Sequence, residues 1–259
     1  MSTDSIGFIG AGRITRILLG GFKAAGIALP EVLVSDANAE ALARLKSAFP
    51  EITAIGTDNT QPARQGLVIL AVHPPAIPVA LAGLAPSLRR DSTVLSLAPK
   101  FTLAKLAELL SGHPRVVRMI PNAPSVIGAG FNPIAFANGI DGNQRAGLRD
   151  FLSPLGECPE VEEQKLEGYA LLSAMGPTYL WFQLQALREL ALEFGLSDSE
   201  TGPALKRTVC GAMRTLLESG LSPSEVMDLI PVKPLAEDEA AIRQAYLTRL
   251  PALFAKIKP

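Results

Sequence analysis

Two glycines near the start of the chain, Gly10 and Gly12, have the type and spacing of a turn that can hold a phosphate group. Gly10 would let the chain turn tightly out of a strand, and Gly12 would let backbone N–H groups approach an anion with no Cβ in the way. A helix that begins at Arg13 would add unpaired N–H groups and the positive end of its dipole. We therefore predict that the turn, with Arg13 and Ile14, binds the pyrophosphate of a dinucleotide, although Thr15 stands where a third small residue is usual.

Asp36 is the second candidate for a cofactor contact. It directly follows the apolar segment Glu31–Ser35, which is predicted to be a buried strand. An acidic residue at this place commonly accepts hydrogen bonds from the ribose hydroxyls of the adenosine, and it would repel a 2′-phosphate. Asp36 therefore favours NADH over NADPH. The alternative interpretation is a helix cap before Ala39.

The strands and helices that would position these residues alternate up to about residue 157. Strands are predicted at 5–9, 31–35, 52–55, 67–72, 93–97, 115–120 and 132–137. The first helix is expected to be weakened and ended by Gly20, Gly21 and Gly26, and later helices are predicted over 76–84, 102–110 and 141–152. This alternation indicates a parallel sheet covered by helices, with ligands beyond the carboxyl ends of the strands. The residues at those ends are Gly10, Asp36, His73, Ala98 and Pro121.

After about Cys158 the strand pattern stops and helical patterns follow. A long helix is predicted over Thr178–Phe194, and two capping boxes, Ser197 with Glu200 and Ser222 with Glu225, begin further helices. We therefore predict an α/β dinucleotide-binding domain over 1–157 and an all-α domain over 158–259. The helices carry more apolar surface than a domain of this size needs, which indicates a homodimer formed through them.

Composition excludes several other classes of protein. The chain has 259 residues, 48% of them hydrophobic, and a net charge of −1 with no basic run, so nucleic acid is not an expected partner. Residues 168–187 carry no charge, but Gly176-Pro177 interrupts them, which favours a buried helix over a membrane span.

Cysteine and histidine usage points to an intracellular protein without a metal. Cys158 and Cys210 are far apart and are predicted to be free, buried thiols, which fit a reducing compartment. With no secretion-type start, a cytoplasmic location is expected. The two histidines and two cysteines have no spacing typical of a metal site.

Five segments stand in an order and spacing typical of one enzyme family. They are IGFIGAGRI (6–14), AVHPPAI (71–77), RMIPNAP (118–124), LSAMGPTY (172–179) and LLESG (216–220). The first is similar to the opening of the pyrroline-5-carboxylate reductase family, and the others resemble its AVKPxxI, RxMPNTP, VSGSGPAY and VLETG motifs. The resemblance covers nearly the whole chain. It implies a Rossmann domain, a helical dimerisation domain and the NAD(P)H-dependent reduction of a cyclic imine to proline.

The resemblance also implies roles for particular residues. The nicotinamide-side ribose and phosphates would lie along Ala71, Val72, His73 and Pro74. Asn122, in a loop that two prolines make rigid, would hold the nicotinamide end; the alternative is a simple strand-ending turn.

The start of the helix at Gly176-Pro177 is the implied substrate site. Its N–H groups would bind the substrate carboxylate, with Met175 beside it, and Ser173 and Thr178 would add hydroxyl groups. Together with Asn122, these two hydroxyl residues are the candidate catalytic residues. The alternative is a structural kink in the dimer core.

Departures from the family pattern lie mainly on the substrate side. The family's SPGGTT loop is replaced by IPVKPLAE at 230–237, Met175 stands inside the SGSG motif, and His73 replaces a lysine. A reductase of another imine or a carbonyl compound therefore stays open as an alternative, as does a non-catalytic dimer that senses the nucleotide. A hydroxyacid dehydrogenase is disfavoured, because no lysine occurs between Lys165 and Lys206.

Overall fold

The computed structural model describes residues 4–73, 75 and 77–259, and these form two compact units. The first, unit 1, runs to Met175 and regains the chain end Phe254–Pro259. The second, unit 2, is Gly176–Leu253.

Unit 1 is built on a sheet whose described strands follow the order β3-β2-β1-β4-β5-β6-β8. The strands are β1 (Ser5–Ile9), β2 (Glu31–Ser35), β3 (Thr53–Gly56), β4 (Leu67–Leu70), β5 (Thr93–Ser96), β6 (Val116–Met119) and β8 (Ile134–Phe136). Two short strands, β7 (Gly130–Phe131) and β9 (Gly156–Glu157), pair separately. This order is that of a doubly wound α/β fold.

All neighbouring strands from β3 to β6 run parallel, as predicted, whereas β8 pairs with β6 in the antiparallel sense. A uniformly parallel sheet is therefore wrong for the last strand. The reason lies in the connection, because only a 3₁₀ turn (Ala123–Ile127) and β7 separate β6 from β8. A parallel pairing needs a longer crossover, usually a helix.

Helices on the two faces of the sheet bury its strands. They are α1 (Arg13–Ala24), α2 (Ala39–Ala48), α3 (Thr60–Ala63), α4 (Ile77–Leu84), α5 (Leu103–Leu109), α6 (Gly142–Leu152) and α7 (Leu166–Tyr169). Every residue of β4, β5 and β6 is buried, which fits strands covered on both sides. The capping box of Asp141 and Gln144 begins α6 as predicted.

Unit 2 is helical throughout its described elements, which confirms the predicted all-α character of the C-terminal region. Its helices are α8 (Pro177–Glu193), α9 (Asp198–Glu218), α10 (Pro223–Asp228) and α11 (Ala236–Ile257), the last of which ends in unit 1. The capping boxes at Ser197 and Ser222 are present. Among the helices that the structure describes, none is both long and apolar enough to cross a membrane.

Candidate functional site

The two glycines of the turn between β1 and α1 have different surroundings. Gly10 has a φ of +112°, and a Cβ there would lie 2.6 Å from the carbonyl oxygen of Ala71. Gly12 caps α1, and no described heavy atom outside its chain neighbours lies within 4 Å of the place its Cβ would take. Gly10 is therefore fixed by close backbone packing, and Gly12 presents bare backbone to open space.

Thr15 replaces the usual third small residue by making a hydrogen bond of its own. It is fully buried, and its Oγ1 donates to the carbonyl oxygen of Gly10 at 2.6 Å. The departure from the glycine pattern thus tightens the turn.

Asp36 ties the end of β2 to the glycine turn. Its Oδ2 accepts a hydrogen bond from the Ala11 N–H at 2.6 Å, and its Oδ1 accepts one from the Asn38 N–H at 2.7 Å. The helix-cap alternative is wrong for Asp36, because the side chain of Asn38 caps α2 by accepting from the Ala41 N–H at 3.0 Å. The Asp36 carboxylate is half-buried and held beside the turn.

A cleft of about 280 Å³ lies beside the turn, and basic residues line it. Its walls include Gly12, Arg13, Arg16, Arg44 and His73. The guanidinium groups and the N-terminus of α1 make this cleft electropositive, which suits a phosphate-bearing ligand. The sequence interpretation missed Arg16 and Arg44, although Arg16 is one helical turn after Arg13 and therefore on the same face.

The other predicted cofactor residues fall into three groups. Ile14, Ala71 and Val72 are half-buried and pack against the two apolar cores. His73 is exposed in the cleft. Pro74 lies outside the described residues.

Asn122 connects its own loop to residues 131–132 and to Ser173 through hydrogen bonds. Its Oδ1 accepts from the Phe131 N–H at 3.1 Å, and its backbone N–H donates to Oδ1 of Asn132 at 3.1 Å. Its Nδ2 donates to the carbonyl oxygen of Ser173 at 3.3 Å. Ser125 Oγ donates to the same Asn132 oxygen at 2.9 Å. Asn122 therefore orders its loop, and its amide carries a second hydrogen for a further acceptor.

Ser173 lies in a single π-helical turn, Ala170–Ala174, between α7 and α8. Its Oγ donates to the carbonyl oxygen of Tyr169 at 2.8 Å, and the Met175 N–H donates to the carbonyl oxygen of Ala170 at 3.0 Å. Single π turns inside helices occur frequently at functional sites. Ser173 and Met175 are both half-buried.

The predicted helix start at Gly176-Pro177 is a break between two helical stretches. Pro177 is the first residue of α8, and Gly176 before it is itself helical, with a φ of −47° and a ψ of −45°. Thr178 is exposed and lines a mainly apolar groove of unit 2, about 300 Å³ in volume, together with Tyr179 and Tyr246. The two tyrosine rings meet edge to face at 5.7 Å, and burial, followed by the charge of Tyr246, raises the pKa of the Tyr179 hydroxyl.

One charged cluster of unit 1 was not anticipated from the sequence. Arg118, in β6, is 1% exposed and donates through Nη1 to Oε1 of Glu163 at 2.8 Å and through Nη2 to Glu167. The partners stand 45 and 49 residues further along the chain, so no local spacing could reveal them.

The chain is similar to several pyrroline-5-carboxylate reductases. A family model described as NADP oxidoreductase, coenzyme F420-dependent, matches residues 5–100. The pyrroline-5-carboxylate reductase of Pseudomonas aeruginosa is 29% identical over 94% of this chain and 89% of its own length. A solved pyrroline-5-carboxylate reductase structure from Coxiella burnetii is 29% identical, covers 99% of this chain and 95% of its own, and has a TM-score of 0.68. These comparisons confirm the resemblance to the pyrroline-5-carboxylate reductase family, which extends over nearly the whole chain.

A more distant structure supports the fold. The pyrroline carboxylate reductase of Plasmodium falciparum, solved with NADP bound, has a TM-score of 0.73 at 18% identity and covers 99% of this chain and 95% of its own. The predicted fold, an α/β domain with a parallel sheet followed by a helical region, is confirmed.

Proposed function

We propose that the chain is an NAD(P)H-dependent reductase of a cyclic imine and converts pyrroline-5-carboxylate to proline. One observation carries the proposal: the bare backbone of Gly12 faces an electropositive cleft in a chain that aligns nearly end to end with relatives of that name. The domain roles proposed are cofactor binding by 1–157 and substrate binding and dimerisation by 158–259.

The glycine turn and its cleft fit the pyrophosphate of the cofactor. The place of a Cβ at Gly12 is open, and Arg13 and Arg16 stand beside it in the cleft wall. The N–H groups at Gly12, Arg13 and Ile14 would donate to the phosphate oxygens. When bound, the cofactor supplies a hydride to the imine carbon. We assign its nicotinamide side to Ala71–Pro74 and to Asn122.

The substrate residues would act by orientation rather than as strong acids. A cyclic imine is basic and can arrive protonated, so hydride transfer needs positioning and the exclusion of water. The Ser173 hydroxyl donates to Tyr169, and its oxygen keeps lone pairs that can accept from the iminium N–H. We propose that the substrate carboxylate binds at the segment formed by Met175, Gly176, Pro177 and Thr178.

We propose that Asp36 gives a preference for NADH. The arginines of the cleft can neutralise phosphates of either cofactor, so the preference rests on this carboxylate alone. Asp36→Ser should weaken NADH more than NADPH in fluorescence titrations. Asp58→Ser is the matched control, because Asp58 also accepts from a backbone N–H two residues on, at 2.8 Å, but in a different loop. An unchanged cofactor ratio in the Asp36 variant would contradict the ribose role.

A second copy of the chain is the partner we propose. Many large apolar side chains of unit 2 are exposed in the single chain, among them Trp181, Phe194 and Leu217. Exposed apolar surface of this extent marks an association surface. A cytoplasmic location stays a prediction from the two unpaired cysteines.

The decisive experiment follows NADH and NADPH oxidation with pyrroline-5-carboxylate, pyrroline-2-carboxylate and a panel of other imines. Turnover of the first substrate, with proline as the product, is the expected result. Gly12→Val is the matched variant, since a branched side chain would enter the cleft; it should weaken cofactor binding in a protein that still folds.

A different imine is the second candidate, and residues 230–237 favour it. This segment, which replaces the SPGGTT loop, is exposed in the structure and offers neither paired glycines nor threonines. Turnover of only another imine would replace the substrate and keep the reductase. Tight cofactor binding with no turnover across the panel would favour a nucleotide-sensing dimer.

A further inference from the structure

We propose that Arg118 is a positioning residue that holds the helical segment carrying Ser173 against the Asn122 loop. The inference rests on the proposed reductase function, because it concerns how the substrate side is ordered. Every residue involved lies in unit 1.

The first observation is a charge in the middle of a buried strand. The side chain of Arg118 is 1% exposed and that of its partner Glu167 is 3% exposed. Removing two ions from water costs about as much as their attraction returns, so such a pair is weak evidence for stability alone. A role in orientation is the better explanation for its presence in β6.

The second observation is that the pair ties together three elements. Glu163 Oε1 accepts from Arg118 Nη1 at 2.8 Å and from the Leu103 N–H at the start of α5 at 2.6 Å. Glu167, one helical turn further on, accepts from the other terminal nitrogen of Arg118. The two terminal nitrogens of the guanidinium thus bind one glutamate each, Glu163 just before α7 and Glu167 within it. A lysine ammonium cannot reproduce this geometry.

The third observation is a second contact between the same two pieces of chain. Asn122 follows Arg118 in the loop after β6, and its Nδ2 donates to the carbonyl oxygen of Ser173, six residues after Glu167. One contact would fix the distance between loop and helix but leave the helix free to rotate. Two contacts, at Glu167 and at Ser173, fix both.

The π turn begins after the contact at Glu167 and contains the contact at Ser173. It places one extra residue in the helix between Ala170 and Ala174, which rotates all later residues by about 100° relative to a regular helix. If the π turn relaxed, the Ser173 hydroxyl would point in another direction. One contact before the π turn and one within it thereby set the direction of Ser173.

The test compares three variants of the full-length protein. Glu167→Ala removes one contact. Glu167→Gln keeps an acceptor for Arg118 and should therefore behave much like the unmodified protein. Glu160→Ala is the matched control, because Glu160 pairs with Arg145 at 2.5 Å in the same unit but not at the π turn. Glu163→Ala, in which the freed position is partly exposed, replaces Glu167→Ala if that variant does not fold.

Two readouts separate positioning from simple stability. Amide hydrogen exchange of residues 166–174, measured without ligands, should become faster in Glu167→Ala and stay unchanged in Glu160→Ala. With the imine substrate, kcat/KM should fall about 10- to 100-fold and the isotope effect of 4-deuterated cofactor should rise, while the cofactor Kd stays within about twofold.

Either of two results would overturn the inference. The first is unchanged exchange of residues 166–174 in a folded Glu167→Ala or Glu163→Ala variant. The second is a loss of stability with KM, kcat and isotope effect as in the unmodified protein. If the unmodified protein reduces no imine, the proposed function fails, and the exchange measurement still judges the contact pair by itself.

Discussion

Units 1 and 2 use their apolar residues in opposite ways. In unit 1 large side chains such as Phe8, Phe22 and Leu67 are at most 2% exposed and lie together in one apolar core. In unit 2 the described residues include one buried residue, Thr201, while Phe194 and Leu217 are 76% and 74% exposed. A sheet covered by its own crossover helices buries its apolar surface within the chain. The helices of unit 2 keep apolar faces that a further surface has to cover.

The hydrogen bonds of the two units differ in the same sense. Side chains of unit 1 tie distant segments together, as Asp36 does with Ala11 and Asn122 does with Ser173. Prominent side-chain bonds of unit 2 are local, such as the capping boxes at Ser197 and Ser222. Unit 1 therefore buries its apolar surface within the chain, whereas unit 2 offers such surface for the proposed association.

The largest expected effect is on that association. Leu217→Asp places a charge on the exposed apolar surface of α9 and should weaken the dimer about 100-fold or more, since a symmetric interface receives the change twice. Sedimentation equilibrium measures it. Val79→Asp is the matched control, because Val79 is 80% exposed on unit 1. A Leu217→Asp protein that keeps its mass would show that α9 is covered in another way.

The two cysteines give the next largest contrast. Burial raises the pKa of the Cys158 thiol to about 12, with Arg149 opposing the shift. In a Cys210→Ser protein at pH 8, iodoacetamide should therefore modify Cys158 about 1000-fold more slowly in the folded state than in urea. Equal rates would contradict the burial of Cys158.

Cys210 tests whether a partner covers α9 of unit 2. The prediction that it is buried is wrong for the single chain, where it is exposed on α9. In a Cys158→Ser protein, slow modification of Cys210 in the folded state would place a partner over α9. Fast modification would leave this part of α9 outside the interface.

Local signals made much of the fold predictable from the sequence. The short apolar runs at 67–72 and 93–97 indicated buried strands, and the structure has β4 and β5 there. The capping boxes at Asp141, Ser197 and Ser222 gave the starts of α6, α9 and α10 within one residue. Each of these signals lies within a few residues of the feature that it predicts.

Features that depend on distant partners could not be predicted. Gly20, Gly21 and Gly26 were expected to weaken and end α1; the helix continues through the first two and ends at Ala24, shortly before Gly26 with its φ of +69°. A Cβ at Gly21 would lie 2.2 Å from the carbonyl oxygen of Ser125, a contact that no local pattern indicates. Arg118 lies in the RMIPNAP segment, but its partner Glu167 is 49 residues further along the chain. The roles of the site residues stay predictions, because these roles depend on ligands that the sequence does not specify.

Gly21 provides a stability test of how tightly unit 1 is packed. Gly21→Ala improves helix propensity by about 1 kcal/mol, but its Cβ would push Ser125 and Leu155 away from α1. We therefore expect a net loss of about 2 kcal/mol in the free energy of unfolding. Gly83→Ala in α4 is the control, because no described atom lies within 4 Å of its Cβ position. It should be neutral or stabilising in urea titrations. Equal effects of the two changes would mean that α1 does not rest on the 3₁₀ turn.

His113 should give unit 1 a smaller, pH-dependent contribution. Its buried Nε2 lies 2.9 Å from the Ser92 carbonyl oxygen, and burial, opposed by this hydrogen bond, lowers the pKa of the imidazole below its ordinary 6.5. The unfolded chain therefore takes up the proton first as the pH falls. The stabilisation is complete above pH 6.5 and is lost as the pH falls from there through the pKa of the folded state. His113→Gln, which keeps a donor for Ser92, should flatten the pH dependence of urea unfolding between pH 7 and about pH 5. His73→Gln, at an exposed position, is the control, and an equal flattening there would remove His113 as the source.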